Sequence, residues 1–146
     1  MSRLLAVDFG SQRIGLAVSE GQLVIPLDPL PSDINSAKQI ADICKDRQIS
    51  KLLVGLPLSL SGSRTRSTEL AISFAQELAS ESNIEVRLID ERLTTVSAAS
   101  KLRESGRDSR TAKNLVDSQS AAEILESALN QIRLGRNPGI GLSEID

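Results

Sequence analysis

Histidine, tryptophan and tyrosine are absent from this chain of 146 residues, and cysteine occurs once. Without His, no Ser-His-Asp or Cys-His nucleophile machinery, imidazole zinc site or imidazole general base can be built. The single Cys44 excludes an internal disulfide and a Cys-rich metal site. Two Phe, with no Trp or Tyr, leave little for a platform that stacks bases. Long apolar runs are missing as well: Leu52-Leu53-Val54 is typical, so no transmembrane helix is expected. Asp8 interrupts the first apolar run, so no signal-peptide core is read there and a cytoplasmic location is the expectation. Charge imbalance is small, with 17 Lys+Arg against 19 Asp+Glu and a formal charge of −2. That balance argues against a protein that coats nucleic acid nonspecifically.

What remains for chemistry is carboxylate, hydroxyl and guanidinium. Catalysis, if present, is expected to run on Asp and Glu through a hard cation, Mg²⁺ or Mn²⁺. The length suits one domain, since roughly 100–150 residues is the commonest domain size. A chain this long buries about two-thirds of its unfolded surface, enough for a core.

Three apolar segments open the chain: Leu4–Val7, Ile14–Ser19 and Leu23–Leu27, separated by short polar turns containing Gly. Such spacing predicts consecutive antiparallel strands. Ile34, Ala37, Ile40, Ala41 and Cys44 then recur at helical steps, with Ser36 and Gln39 placed for a capping box. Lys51–Leu56 reads as a strand apolar on both faces and stopped by Pro57, which suits a central parallel strand. A Ser/Gly/Arg loop runs to about Ser67, and Leu70, Ala71, Phe74, Ala75 and Leu78 mark a second helix. Val86–Asp90 is another strand. Thr94–Gly106 reads as a helix stopped by Gly106, and Asn114 to about Arg133 as the last one. The order β-β-β-α-β-α-β-α-α predicts one α/β domain over residues 1–134, a mixed sheet with helices on its faces. Residues 135–146, broken by Gly and Pro, are expected to form a loose tail.

Three acidic positions stand out. Asp8 ends the first strand and is followed by Phe9-Gly10; Asp90-Glu91 ends the last expected strand; Asp117 shares a helix face with Ala121 and Leu125. Taken singly, each has a plainer reading. Asp8 can be a turn former, Asp90 or Glu91 a helix cap or a partner of Arg92, and Asp117 an ordinary helix residue with a basic neighbour. Taken together they point to the carboxyl ends of strands, where sites form in open α/β sheets. Three converging carboxylates repel one another unless a divalent cation holds them, and two cations so bridged are a standard means of splitting a phosphodiester bond. Asp8–Gly15 also forms a Gly-bearing turn that would let a phosphate approach the backbone, although a plain hairpin turn explains it equally. Basic residues are uneven. Arg64 and Arg66 lie in the loop after Pro57, and five basic residues from Lys101 to Lys113 face only Glu104 and Asp108. That segment is either a phosphate-contacting patch or a solvated helix face.

Asp8-Phe9-Gly10-Ser11-Gln12-Arg13-Ile14-Gly15, Val54-Gly55-Leu56-Pro57, Asp90-Glu91-Arg92-Leu93-Thr94-Thr95 and the Asp117 helix stand in the same order as in the YqgF family. The resemblance covers about residues 3–130. Members are bacterial pre-rRNA nucleases, also called RuvX-type Holliday junction resolvase homologues. It implies an RNase H-like fold with a mixed five-stranded sheet flanked by helices. It also implies a metal-dependent endonuclease that processes the 5′ end of the 16S ribosomal RNA precursor in ribosome biogenesis. Carried over, Asp8, Glu91 and Asp117 become the catalytic, metal-holding carboxylates, with Asp90 as the alternative to Glu91, because strand alternation lets only one of the two face the site. The same resemblance makes Arg13, Arg92 and Thr94 either supports of those carboxylates or substrate contacts, and the unevenly placed Arg64, Arg66, Arg110 and Lys113 are read as further substrate contacts. Two departures are visible: Ser61-Gly62 stands where the family carries Asp-Gly, and Ser120 where its last helix carries Ala.

Alternative functions are a Holliday junction resolvase acting on branched DNA and a module that binds ribosomal RNA or an assembly partner without cutting it. An actin-like ATPase is a weaker third, since that fold needs two such domains around its nucleotide. Monomer and homodimer are both compatible with the sequence; a four-way junction would need two active sites, whereas a linear RNA end needs one. Few aromatics imply recognition through backbone shape and phosphates, with little base stacking.

Overall fold

A computed structural model describes residues 2–93 and 109–145, with side chains for all of these except 109–117. The expected helix over Thr94–Gly106 lies outside the described residues, as does Thr94.

Strand alternation sets the layers. In β1 (Arg3–Phe9), Leu5 and Val7 enter one core, whereas Leu4 and Ala6 enter another on the opposite face. β2 (Arg13–Glu20) and β3 (Leu23–Pro31) complete an antiparallel meander, as the apolar segments predict. β4 (Ile49–Leu56) and β5 (Glu85–Asp90) run parallel to β1. α1 (Ser36–Arg47) and α2 (Arg66–Ser82) cover the face that buries Leu5, Val7, Leu52, Val54 and Leu88. α3 (Ser109–Arg133) covers the other, packing Ala121, Ile124, Leu125 and Ala128 against Ala6, Leu53 and Ile89. Parallel strands buried on both faces explain why β4 reads as an uninterrupted apolar run.

Among the described residues six strands form the sheet, in the order β3-β2-β1-β4-β5-β6. The expected count was five. The sixth, β6 (Ile140–Gly141), comes from the segment expected to be a loose tail and pairs antiparallel with β5. Its physical cause is Arg87, only 7% exposed, which donates to the carbonyls of Pro138 and Gly139. A buried guanidinium requires such acceptors. Gly139 has φ +61°, and a Cβ there would meet the Leu88 carbonyl oxygen at 2.1 Å. The Gly and Pro that suggest looseness thus permit a close return to the sheet edge.

Three local expectations are corrected. α1 does not start with a Ser36–Gln39 capping box: Asn35 is the N-cap and makes no side-chain cap bond. Ser36 Oγ instead accepts from Asp33 N–H and donates to the Pro31 carbonyl. Ile34 precedes the helix and is 93% exposed, so it is no part of the apolar stripe. α3 begins five residues earlier than the expected Asn114.

Candidate active site

β1 is bonded on both sides, antiparallel to β2 and parallel to β4, and Asp8 stands opposite Gly15 in the β1–β2 ladder. The turn that follows requires Gly10, where a Cβ would meet the Arg13 carbonyl oxygen at 2.5 Å. Asp8 follows Leu4 and Ala6 in the alternation and so faces α3. At the end of β5 the chain enters a 3-10 turn, Glu91–Leu93. Here the two neighbouring acids part company. Asp90 turns to Arg92, accepting its backbone N–H at 2.9 Å and its guanidinium at 2.7 Å, and these bonds hold the Asp90 carboxyl below its ordinary range. Glu91 turns the other way and shares a hydrogen bond with Asp8.

Glu91 reaches Asp8 over β4, and Gly55 makes room for it. A Cβ at Gly55 would lie 3.1 Å from Cγ and Cδ of Glu91 and 2.6 Å from Ile124 Cδ1. Burial first, then the Asp8 charge, the hydrogen bond with Asp8 and the Asp90 charge raise the Glu91 pKa from 4.5 to about 7. Ionising Glu91 beside the Asp8 charge is disfavoured, and a proton or a cation between the two relieves the repulsion.

The third acid expected at the site, Asp117, lies in α3, and its side chain is outside the described residues. The next residue, Ser118, is fully buried and shows what docks this part of the helix. Its hydroxyl donates to the Leu27 carbonyl and accepts from Leu16 N–H at 3.4 Å. Leu16 adjoins Gly15, the ladder partner of Asp8, so the helix backbone is tied to the meander beside the first carboxylate. Among the described residues no three His, Cys, Asp or Glu are gathered as a metal-binding group.

The expected substrate contacts are scattered. Arg13 is exposed at the start of β2. Arg64 forks onto Glu69 at 2.6 and 2.7 Å, and Arg66 is exposed in the first turn of α2. Arg92 is engaged with Asp90 and with the Leu60 carbonyl. Arg110 and Lys113 lie in the first turns of α3, with side chains outside the described residues. Gly55 and Ser118 are positioning residues that the sequence reading does not single out by role. A Gly inside an apolar strand was the available signal for the first.

Two solved structures of Thermus thermophilus RuvC share this architecture. One, RuvC in complex with Holliday junction substrate, superposes with a TM-score of 0.62 at 12% identity, covering 94% of this chain and 99% of that one. The other, a further RuvC structure, gives 0.58 at 14% identity, covering 93% and 98%. These define the fold: an RNase H-like α/β fold of the RuvC type. The family model described as "RuvX: Holliday junction resolvase" matches residues 2–131. A Clavibacter sepedonicus protein is 44% identical over 139 residues, covering 92% of this chain and 86% of its own length. A Leifsonia xyli protein is 41% identical over 138 residues, covering 92% and 89%. Both bear the name "Putative pre-16S rRNA nuclease". The chain belongs to the RuvX, or YqgF, family of nucleases.

Proposed function

We propose that this protein is a metal-dependent endonuclease that hydrolyses phosphodiester bonds and processes the 5′ end of the 16S ribosomal RNA precursor in the cytoplasm. The Asp8–Glu91 pair carries the reading: two carboxylates share a hydrogen bond at the carboxyl end of the sheet, and Glu91 is raised to about 7. This donor set fits a hard divalent cation, because both ligands are carboxylate oxygens whose mutual repulsion such an ion would relieve. Asp8 and Glu91 would hold Mg²⁺ or Mn²⁺, with Asp117 as the helical ligand. When bound, the metal supplies a more acidic water and charge to stabilise the leaving oxygen.

The remaining work falls to the chain. Asp8 is held opposite Gly15 in the β1–β2 ladder, and its neighbour Val7 is paired with Val54 of β4, which limits drift of its carboxylate. Gly55 leaves the path along which Glu91 reaches it. The raised Glu91 carboxyl keeps its proton against Asp8 below about pH 7 and would surrender it when a cation takes its place. With no imidazole anywhere in the chain, protons at the site must move through carboxylates and water. Arg13, Arg66, Arg110, Lys113 and Thr94 would meet the substrate strand, mainly at phosphates, whereas Arg64 would first have to leave Glu69. The names of the relatives support RNA as the substrate.

The family description favours a second reading, a resolvase of branched DNA. Both are tested by giving the purified protein, with Mg²⁺ or Mn²⁺, a 16S precursor carrying its 5′ leader and a four-way DNA junction. The proposal expects RNA cleavage within the leader and an intact junction. Junction cleavage alone would replace it with the second reading. RNA binding with no cleavage under any divalent ion would make the protein a binding module.

A further inference from the structure

Arg92 has the residue type of a substrate contact, yet its guanidinium is already committed on two sides. Toward its own turn, Nε lies 3.1 Å from both Asp90 carboxylate oxygens and Nη2 lies 2.7 Å from one. Toward the neighbouring loop, Nη1 donates to the Leu60 carbonyl at 3.4 Å. The same Nη1 would lie 3.2 Å from a Cβ on Gly62, so the loop backbone rests against the guanidinium. That loop is itself stiffened. Ser59 N–H donates to the Ser63 carbonyl at 3.0 Å and Gly62 N–H to the Ser59 carbonyl at 2.8 Å. The Ser59, Ser61 and Ser63 hydroxyls follow one another at 2.9 and 3.1 Å.

We infer that Arg92 and Asp90 form a strut between the 58–64 loop and the β5 end, and that this strut aims Glu91 at Asp8. Residues 90 and 92 flank Glu91. Pinning both on the loop side leaves residue 91 the opposite direction, over Gly55 toward Asp8. Arg92 is therefore a positioning residue. A phosphate seeking its guanidinium would have to displace Asp90, which already occupies the fork. The position where the family carries Asp is Ser61 here, and its hydroxyl serves the loop's own bonding. The inference rests on the metal-nuclease reading of the Asp8–Glu91 pair for its consequence, although the strut itself does not.

The test uses the full chain and the variants Arg92→Gln, Arg92→Lys, Asp90→Asn and the double Asp90→Asn/Arg92→Gln. In metal-free protein, amide hydrogen exchange should speed up together at Glu91–Leu93 and Ser59–Ser63. Without RNA, Mn²⁺ affinity should fall about tenfold in each single variant, the size typical for partners that orient a metal ligand. The double variant should fall no further. Lys should fail to rescue, because it cannot reproduce the fork. The salt dependence of RNA binding should stay unchanged. The strut is overturned if exchange in the two segments is unaltered. It is equally overturned if Arg92→Lys keeps full Mn²⁺ affinity while Arg92→Gln lowers the RNA salt slope by about one, the mark of a lost phosphate contact. Wild-type protein that binds no Mn²⁺ would instead defeat the metal reading, and the exchange data alone would then decide the strut.

Discussion

Glu91 is the residue on which the chemistry and the stability of the site meet. Its pKa stands at about 7 in the fold against 4.5 without it, so the folded protein binds the Glu91 proton more tightly than the unfolded chain does. The stabilisation is complete below pH 4.5 and is lost as pH rises through 7. Metal-free Glu91→Gln should therefore be more stable than wild type at pH 8 and should lack this loss, as denaturant melts at pH 5 and pH 8 would show. Added Mg²⁺ should stabilise wild type at pH 8 and leave Glu91→Gln nearly unmoved. Gly55→Val would set a branched side chain against Ile124 and Glu91; it should cost about 1–3 kcal/mol and weaken Mn²⁺ binding in calorimetry. Asp90 and Glu91 show what a sequence reveals at this scale. Alternation says that they diverge, and they do, toward Arg92 and toward Asp8. It says nothing of Gly55, because the clearance depends on a residue crossing from the next strand.

Elements follow local signals where the chain itself satisfies them and depart where tertiary contacts take the same groups. The apolar spacing of β1 to β5 and the helical period of α1, α2 and α3 are legible because each buries one face or two against a neighbour. Capping is less legible. Ser36 has the spacing of a cap but is drawn to the Pro31 carbonyl, whereas Thr65 and Thr68 form the reciprocal box that opens α2. Thr65→Ala should cost about 1 kcal/mol of stability, read as a lowered denaturant midpoint. Ser118→Ala removes the hydroxyl that ties α3 to β2 and β3, leaving the Leu27 carbonyl without this donor. The expected loss is about 1–3 kcal/mol, as for other buried polar groups left without a partner. Cleavage should fall too if α3 carries a metal ligand one residue earlier. Strand order was not legible, since pattern alone does not say which strand β1 joins.

The whole molecule is closed at one edge by its own C-terminal segment. Composition marks residues 135–146 as loose, but the buried Arg87 supplies a demand for carbonyl acceptors that composition does not show. Truncation after Leu134 should strand that guanidinium and expose β5. It should lower stability by about 2 kcal/mol or more, with Arg87→Met in the truncated chain recovering part of the loss. Among the described residues no helix is long and apolar enough to cross a membrane. The proposed function turns on Asp8 and its partner Glu91 as the carboxylates of the cleavage site. It is tested most directly by the cleavage rate of the 16S precursor in Mg²⁺ for wild type and for folded Asp8→Asn at matched concentration. Wild type should cleave, and the variant should lose about a thousandfold or more of that rate. Equal cleavage by the two proteins would contradict it.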